Sequence, residues 1–129
     1  MIAGLGIAFA RPGFLQLGPN GVFETEKPVL IQQISCLEND VPPAYLVSLG
    51  ARLTDGAGAP FGLYFTPPFV TTAGGTMRLS LFVGAAYIFD DTNGNATGPL
   101  PHDWWLMPGE ALQVFAPGIV RVRVLTPLA

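Results

Sequence analysis

The residues able to do chemistry are few, and their spacing decides what they can be. His102, the single histidine, stands beside Asp103 and after Pro101, so a general base steered by a carboxylate is conceivable. Adjacent residues on an extended chain point to opposite faces, however, which works against a direct pair. Ser35, Ser48 and Ser80 fall inside apolar runs without the flanking glycines of a nucleophile elbow, and Cys36 has no nearby base. No catalytic constellation is expected. Asp91, Asn93 and Asn95 alternate as oxygen ligands for calcium would. The glycine follows Asn93 directly, though, and the twelfth position is His102 where a bidentate Glu belongs, so an Asx-Gly turn is the expectation. Gly4-Leu5-Gly6 opens no strand-turn-helix unit that would cradle phosphate, and Asn95-Ala96-Thr97 fits the glycosylation sequon without a secretory leader to bring it into use. No cofactor and no metal are expected.

Trp104 and Trp105 are the remaining candidates, as a stacking platform for sugar rings together with Tyr64. In a sheet, one of two adjacent tryptophans faces the core and the other a partner or solvent. A carbohydrate-binding module is therefore the alternative function that the residues leave open.

These side chains must be positioned by strands. Sixteen glycines and thirteen prolines punctuate the 129 residues, so almost no window holds a three-turn helix. Val120, Val122 and Val124 alternate with Arg121 and Arg123, which turns the valines inward and the arginines outward. From Trp104 to Leu125 the chain reads as an antiparallel meander. Met77, Leu79, Leu81 and Val83 alternate in the same way, and so do Tyr45, Val47, Leu49, Ala51 and Leu53. Residues 28–41 fit both a helical stripe and a strand; their branched residues favour the strand, pairing as a hairpin with 44–53. Asp90 to His102 reads as a polar loop. The sum is an all-β chain, an antiparallel β-sandwich or jelly roll of about eight strands over residues 28–129.

Residues 1–27 differ. Ile2, Leu5, Ile7, Phe9 and Phe14 are too apolar for a free tail, while five glycines and two prolines make the segment too irregular for a central strand. An extended arm on a neighbouring subunit, or an edge strand of the same chain, is expected.

Composition narrows the partners. The net charge of −3 arises from nine acids and six bases with Lys27 the only lysine, so nucleic acid is not an expected partner. Cys36 alone excludes an internal disulfide. Met1 to Ala10 lacks the basic start of a signal peptide, and the longest later apolar run, 81–89, is far below the roughly 20 residues of a membrane helix, so neither a signal peptide nor a transmembrane segment is expected. Half the residues are hydrophobic and 12% charged, about half the usual charged fraction, which leaves two readings equally open: surface covered by other subunits, or polarity supplied by Ser, Thr, Asn, Gln and Gly instead.

The tract Ala44-Tyr45-Leu46-Val47-Ser48-Leu49-Gly50-Ala51-Arg52-Leu53-Thr54-Asp55-Gly56 and the ending Met107-Pro108-Gly109-Glu110-Ala111-Leu112-Gln113-Val114-Phe115 resemble the small all-β virion proteins of tailed bacteriophages. The resemblance covers roughly residues 28–129. It implies a non-enzymatic structural protein located in the virion, either a head decoration or cement subunit or a neck, tail or baseplate component. Its partners would be identical subunits, a trimer favoured, and a major capsid or tail protein. Ile2, Leu5, Ile7, Phe9, Phe14, Trp104, Arg121 and Arg123 are the expected interface residues.

Overall fold

A computed structural model describes residues 10–42, 44–71, 75–90 and 94–127. They form strands and turns with no helix, as the punctuation requires. In chain order the strands are β1 (Ala10–Leu17), β2 (Val22–Glu24), β3 (Val29–Val41), β4 (Leu46–Val47), β5 (Gly50–Thr54), β6 (Pro60–Phe65), β7 (Phe69–Val70), β8 (Gly75–Val83), β9 (Ile88–Asp90), β10 (Asn95–Leu100), β11 (Trp105–Leu106), β12 (Ala111–Phe115) and β13 (Val120–Pro127). The described residues hold thirteen strands in three sheets, against the expected eight or so. The larger sheet runs β1-β13-β3-β8-β10-β9 with β11 also on β3, the second runs β2-β12-β5-β6, and β4 pairs with β7 alone.

The long strand β3 lies at the middle of the large sheet, and its ambiguous periodicity has a physical cause. Opposite β13, Arg123 pairs with Gln33 while Val124 pairs with Ile31, so Gln32 is an extra residue in a bulge. The bulge shifts the phase by one, placing Ile31, Ile34 and Cys36 all inward at spacings of three and two. That spacing imitates a helical stripe. Along β13 the valines are buried and the arginines exposed, in the register that the alternation demands.

Three expectations about connection are corrected. The segments after Trp104 are not a meander: β11 and β13 belong to the large sheet, while β12 pairs with β2 and β5 in the second. Residues 28–41 and 44–53 do not form a hairpin. The tract breaks at Ser48 into β4, which pairs with β7, and β5, which pairs with β6 and β12, because Pro42-Pro43 supplies no N–H groups with which to close a tight turn. The stretch 90–102 is not a loop throughout, since β10 occupies Asn95–Leu100 and pairs parallel with β8, burying Ala96 and Leu100. A polar-looking segment with two apolar residues spaced four apart carries little signal from sequence.

The inward faces of the two larger sheets contribute to one cluster of buried residues, among them Ile31, Ile34, Leu53, Leu79, Leu112 and Val122. Gly98 lets β10 approach the neighbouring strand: a Cβ there would meet the carbonyl oxygen of Phe65 and lie 2.8 Å from Leu81 Cδ2. Two fully or largely buried threonines hold the crossing between β6 and β7. Thr66 Oγ1 accepts a 3.0 Å hydrogen bond from Leu49 N, while Thr71 Oγ1 donates to Pro42 O at 2.6 Å and accepts from Tyr45 N at 3.1 Å.

Residues 10–17 of the proposed arm pair with β13 along their whole length, Ala10 opposite Pro127 and Leu17 opposite Val120. For these residues the structure realises the edge-strand alternative. Ile2, Leu5, Ile7 and Phe9 lie outside the described residues.

Candidate functional site

The outward faces of the sheets carry the unexplained side chains. On the small sheet, antiparallel register places Val22, Gln113, Arg52 and Leu63 in one row and Phe115, Gly50 and Phe65 in the next. Arg52 is laid flat on this face: its Nε donates to Gln113 Oε1 at 2.9 Å and its guanidinium carbon sits 5.1 Å from the Phe115 ring centroid. Around it Val22 (54%), Leu63 (57%) and Phe65 (46%) remain solvent-exposed. Phe65 meets Tyr87 edge-on at 5.6 Å, and Tyr87 and Ile88 are exposed as well, so apolar surface continues to the β9 edge of the large sheet. The opposition of Arg52 to Leu63, then of Leu53 to Phe61, leaves Gly62 as a bulge at φ 65°. In that conformation glycine is strongly preferred, and the bulge turns Phe61 and Leu63 to opposite faces of an edge strand.

On the large sheet Phe14, Arg123, Gln33 and Phe82 form a row, and Gln16, Arg121, Ser35 and Ser80 the next. Phe14 is 65% exposed and lies under Arg121, whose guanidinium carbon is 5.7 Å from the ring centroid. Phe14, Arg121 and Arg123 thus come together on one outward face.

Trp104 does not join them. It is 6% exposed and packs edge-on against the half-buried Tyr64 at 5.1 Å, which removes the Trp104 ring as an open stacking platform and corrects the expectation that Trp104 lies at an interface. Trp105 is half-buried opposite Leu30, and its indole N–H has no partner among the described residues. Adjacent residues on β strands alternate, and here Trp104 took the inner place.

The remaining candidates are scattered. His102 and Asp103 occupy an exposed turn. Ser35 and Ser80 face each other on neighbouring strands, without a base nearby. Cys36 is buried, and burial chiefly, with help from the charge of Glu38 and against a hydrogen bond from the Gly118 backbone, pushes its thiol up to about 11. Asn95 belongs to β10 and its Oδ1 is buried without a hydrogen-bond partner among the described residues; Asp91 and Asn93, the other proposed calcium ligands, lie outside them. Among the described residues no three acidic, histidine or cysteine side chains are grouped to hold a metal, and no helix is long and apolar enough to cross a membrane. A cleft of about 410 Å³ opens between Val41, Tyr45, Val47 and Met77, but its Thr71 hydroxyl and Asn39 amide oxygen are bonded within the protein, the latter to Thr76 Oγ1 at 3.2 Å.

The sequence matches no family model, and no similar protein is found among curated sequences.

The exposed apolar set on the small sheet was not anticipated from sequence. One signal was present: Phe61-Gly62-Leu63-Tyr64-Phe65 has no polar residue on either face, which is the pattern of a strand covered from both sides.

Proposed function

We propose that the protein is a non-enzymatic structural protein that assembles with copies of itself, a trimer favoured, and with the capsid or tail lattice of a virion, as a decoration or cement subunit. The observation that carries this reading is the ordered display of large apolar side chains on outward sheet faces, Val22, Leu63 and Phe65 on one sheet and Phe14 on the other. Scattered surface leucines need no explanation, whereas apolar residues lined up in register with neighbours on adjacent strands form patches that favour burial against a partner. The low charge agrees with this, and the virion setting rests on the resemblance of residues 28–129 to phage structural proteins. The two larger sheets, sharing one buried cluster, are taken as the halves of a β-sandwich of jelly-roll type.

The sugar-binding alternative would stack a ring on Trp104, Trp105 or Tyr64; Trp104 is buried against Tyr64, and Tyr64 and Trp105 are half-buried.

Light scattering coupled to size exclusion tests the proposal. A stable trimer or larger ring at micromolar concentration is expected, with Leu63→Ser and Phe65→Ser together shifting it to smaller species while leaving the fold intact. A strictly monomeric protein that also fails to sediment with particles overturns it.

A further inference from the structure

The face around Phe14 holds a feature that apolar burial does not account for. Arg121 and Arg123 are two residues apart on β13, so their backbone origins are separated by roughly 7 Å and both side chains leave the same side of the sheet. Their cross-strand neighbours are all uncharged: Gln16 and Ser35 opposite Arg121, Phe14 and Gln33 opposite Arg123. These five residues, Phe14, Gln33, Ser35, Arg121 and Arg123, line a small open cavity of about 90 Å³. Among the described residues neither guanidinium has a carboxylate partner, although the chain carries nine acids against six bases. Two like charges set side by side on a strand repel, and the repulsion is relieved when one anion lies between them.

We propose that this groove is a binding site for a single oxyanion, either the carboxylate of a protein partner or a free inorganic oxyanion such as sulfate or phosphate. Each arginine presents a planar fork of donors matched to paired oxygens, and the Gln33 amide and Ser35 hydroxyl add neutral donors at the rim. The Phe14 ring beneath Arg121 holds one guanidinium in place before the anion arrives. A polyanion is disfavoured, because the cavity takes one group and the protein as a whole is negative. The site is complete on one chain, so it does not require the assembly reading, and the failure of either leaves the other standing.

The test is a titration of the isolated protein, read by the arginine Nε–H resonances in proton–nitrogen spectra. Sodium sulfate replaces sodium chloride at constant ionic strength, and a second series uses a capped peptide with one glutamate. Expected are saturable shifts of the Arg121 and Arg123 signals with Arg52 and Arg78 nearly still, at least tenfold weaker binding in R121S/R123S, and several-fold weaker binding in R121K/R123K, which keeps the charge and loses the fork. Saturation by the peptide at lower concentration than by sulfate identifies a partner's carboxylate as the ligand; saturation by sulfate alone identifies a free oxyanion. Shifts of Arg52 and Arg78 as large as those of Arg121 and Arg123 in both series, or lysine variants that bind as well as the wild type, overturn the site.

Discussion

Replacing Thr66 by Val isolates one hydrogen bond in the crossing between the sheets. The side chain is fully buried, and its Oγ1 accepts from Leu49 N at 3.0 Å while its own N–H donates to Leu49 O at 2.8 Å. Valine keeps the branched shape and the backbone bond, so no cavity opens, but the Leu49 N–H loses its acceptor where water cannot reach. Leaving a buried donor unpaired costs about 1–3 kcal/mol, and the added methyl returns roughly 0.8 kcal/mol, for a net loss of about 0.2–2.2 kcal/mol. With a urea slope of about 2 kcal/mol per M, the midpoint falls by about 0.1–1.1 M. Thr66→Ser keeps the acceptor and loses a methyl group, so its loss of about 1 kcal/mol is similar in size and different in cause. Hydrogen exchange separates the two: the Leu49 amide exchanges faster in Thr66→Val relative to global stability and keeps its protection in Thr66→Ser. A Thr66→Val protein within about 0.3 kcal/mol of wild type, with Leu49 still protected, would refute the reasoning.

Val122→Asp puts a charge in the core and is expected to cost about 4 kcal/mol or more, while Arg121→Ser changes stability by less than about 0.5 kcal/mol; urea melts that give equal losses contradict the register. Gly98→Ala places a methyl against the Phe65 carbonyl and Leu81, and is expected to destabilise by about 1–3 kcal/mol, lowering the melting temperature in calorimetry; a rise would show that β10 does not approach so closely. Cys36 titrates higher in the folded chain, at about 11 against 9.0, so the unfolded state releases its proton first and stability falls as pH rises between those values. Subtracting the pH profile of Cys36→Ala from that of wild type should leave this fall, and a flat difference shows that the thiol is not desolvated. The same burial predicts that Cys36 resists alkylation at pH 8 until denaturant is added.

Strands with strict alternation were legible from sequence because they are regular: β13 and β8 each have one buried face and keep a period of two. What broke legibility was irregularity. Gln32 shifted the phase of β3, so a run that looked part helical is a bulged strand, and Gly62 puts a second bulge in β6. Pairing was legible only locally. The partners of β12, β5 and β2, lie 57 or more residues earlier in sequence, and nothing in a hydrophobic pattern names a partner across such a distance. Of the candidate site, the outward set of Arg121 and Arg123 followed from alternation, whereas their meeting with Phe14 needed the β1–β13 register, and the inward turn of Trp104 depended on which of two equivalent neighbours the core would take.

The placement of β13 between β1 and β3 governs when this protein can fold. Among the described strands, the last in chain order is the neighbour of the first and of the long central strand. Until Val120–Pro127 has left the ribosome, β1 lacks the strand it pairs with among the described residues and β3 has one flank bare, so the large sheet cannot close before that strand emerges. Pairings this distant put the loop-closure cost before the reward, which places folding in the range of milliseconds to seconds. Through that interval the Leu30–Cys36 part of β3 offers an unpaired edge to any other chain in the same state.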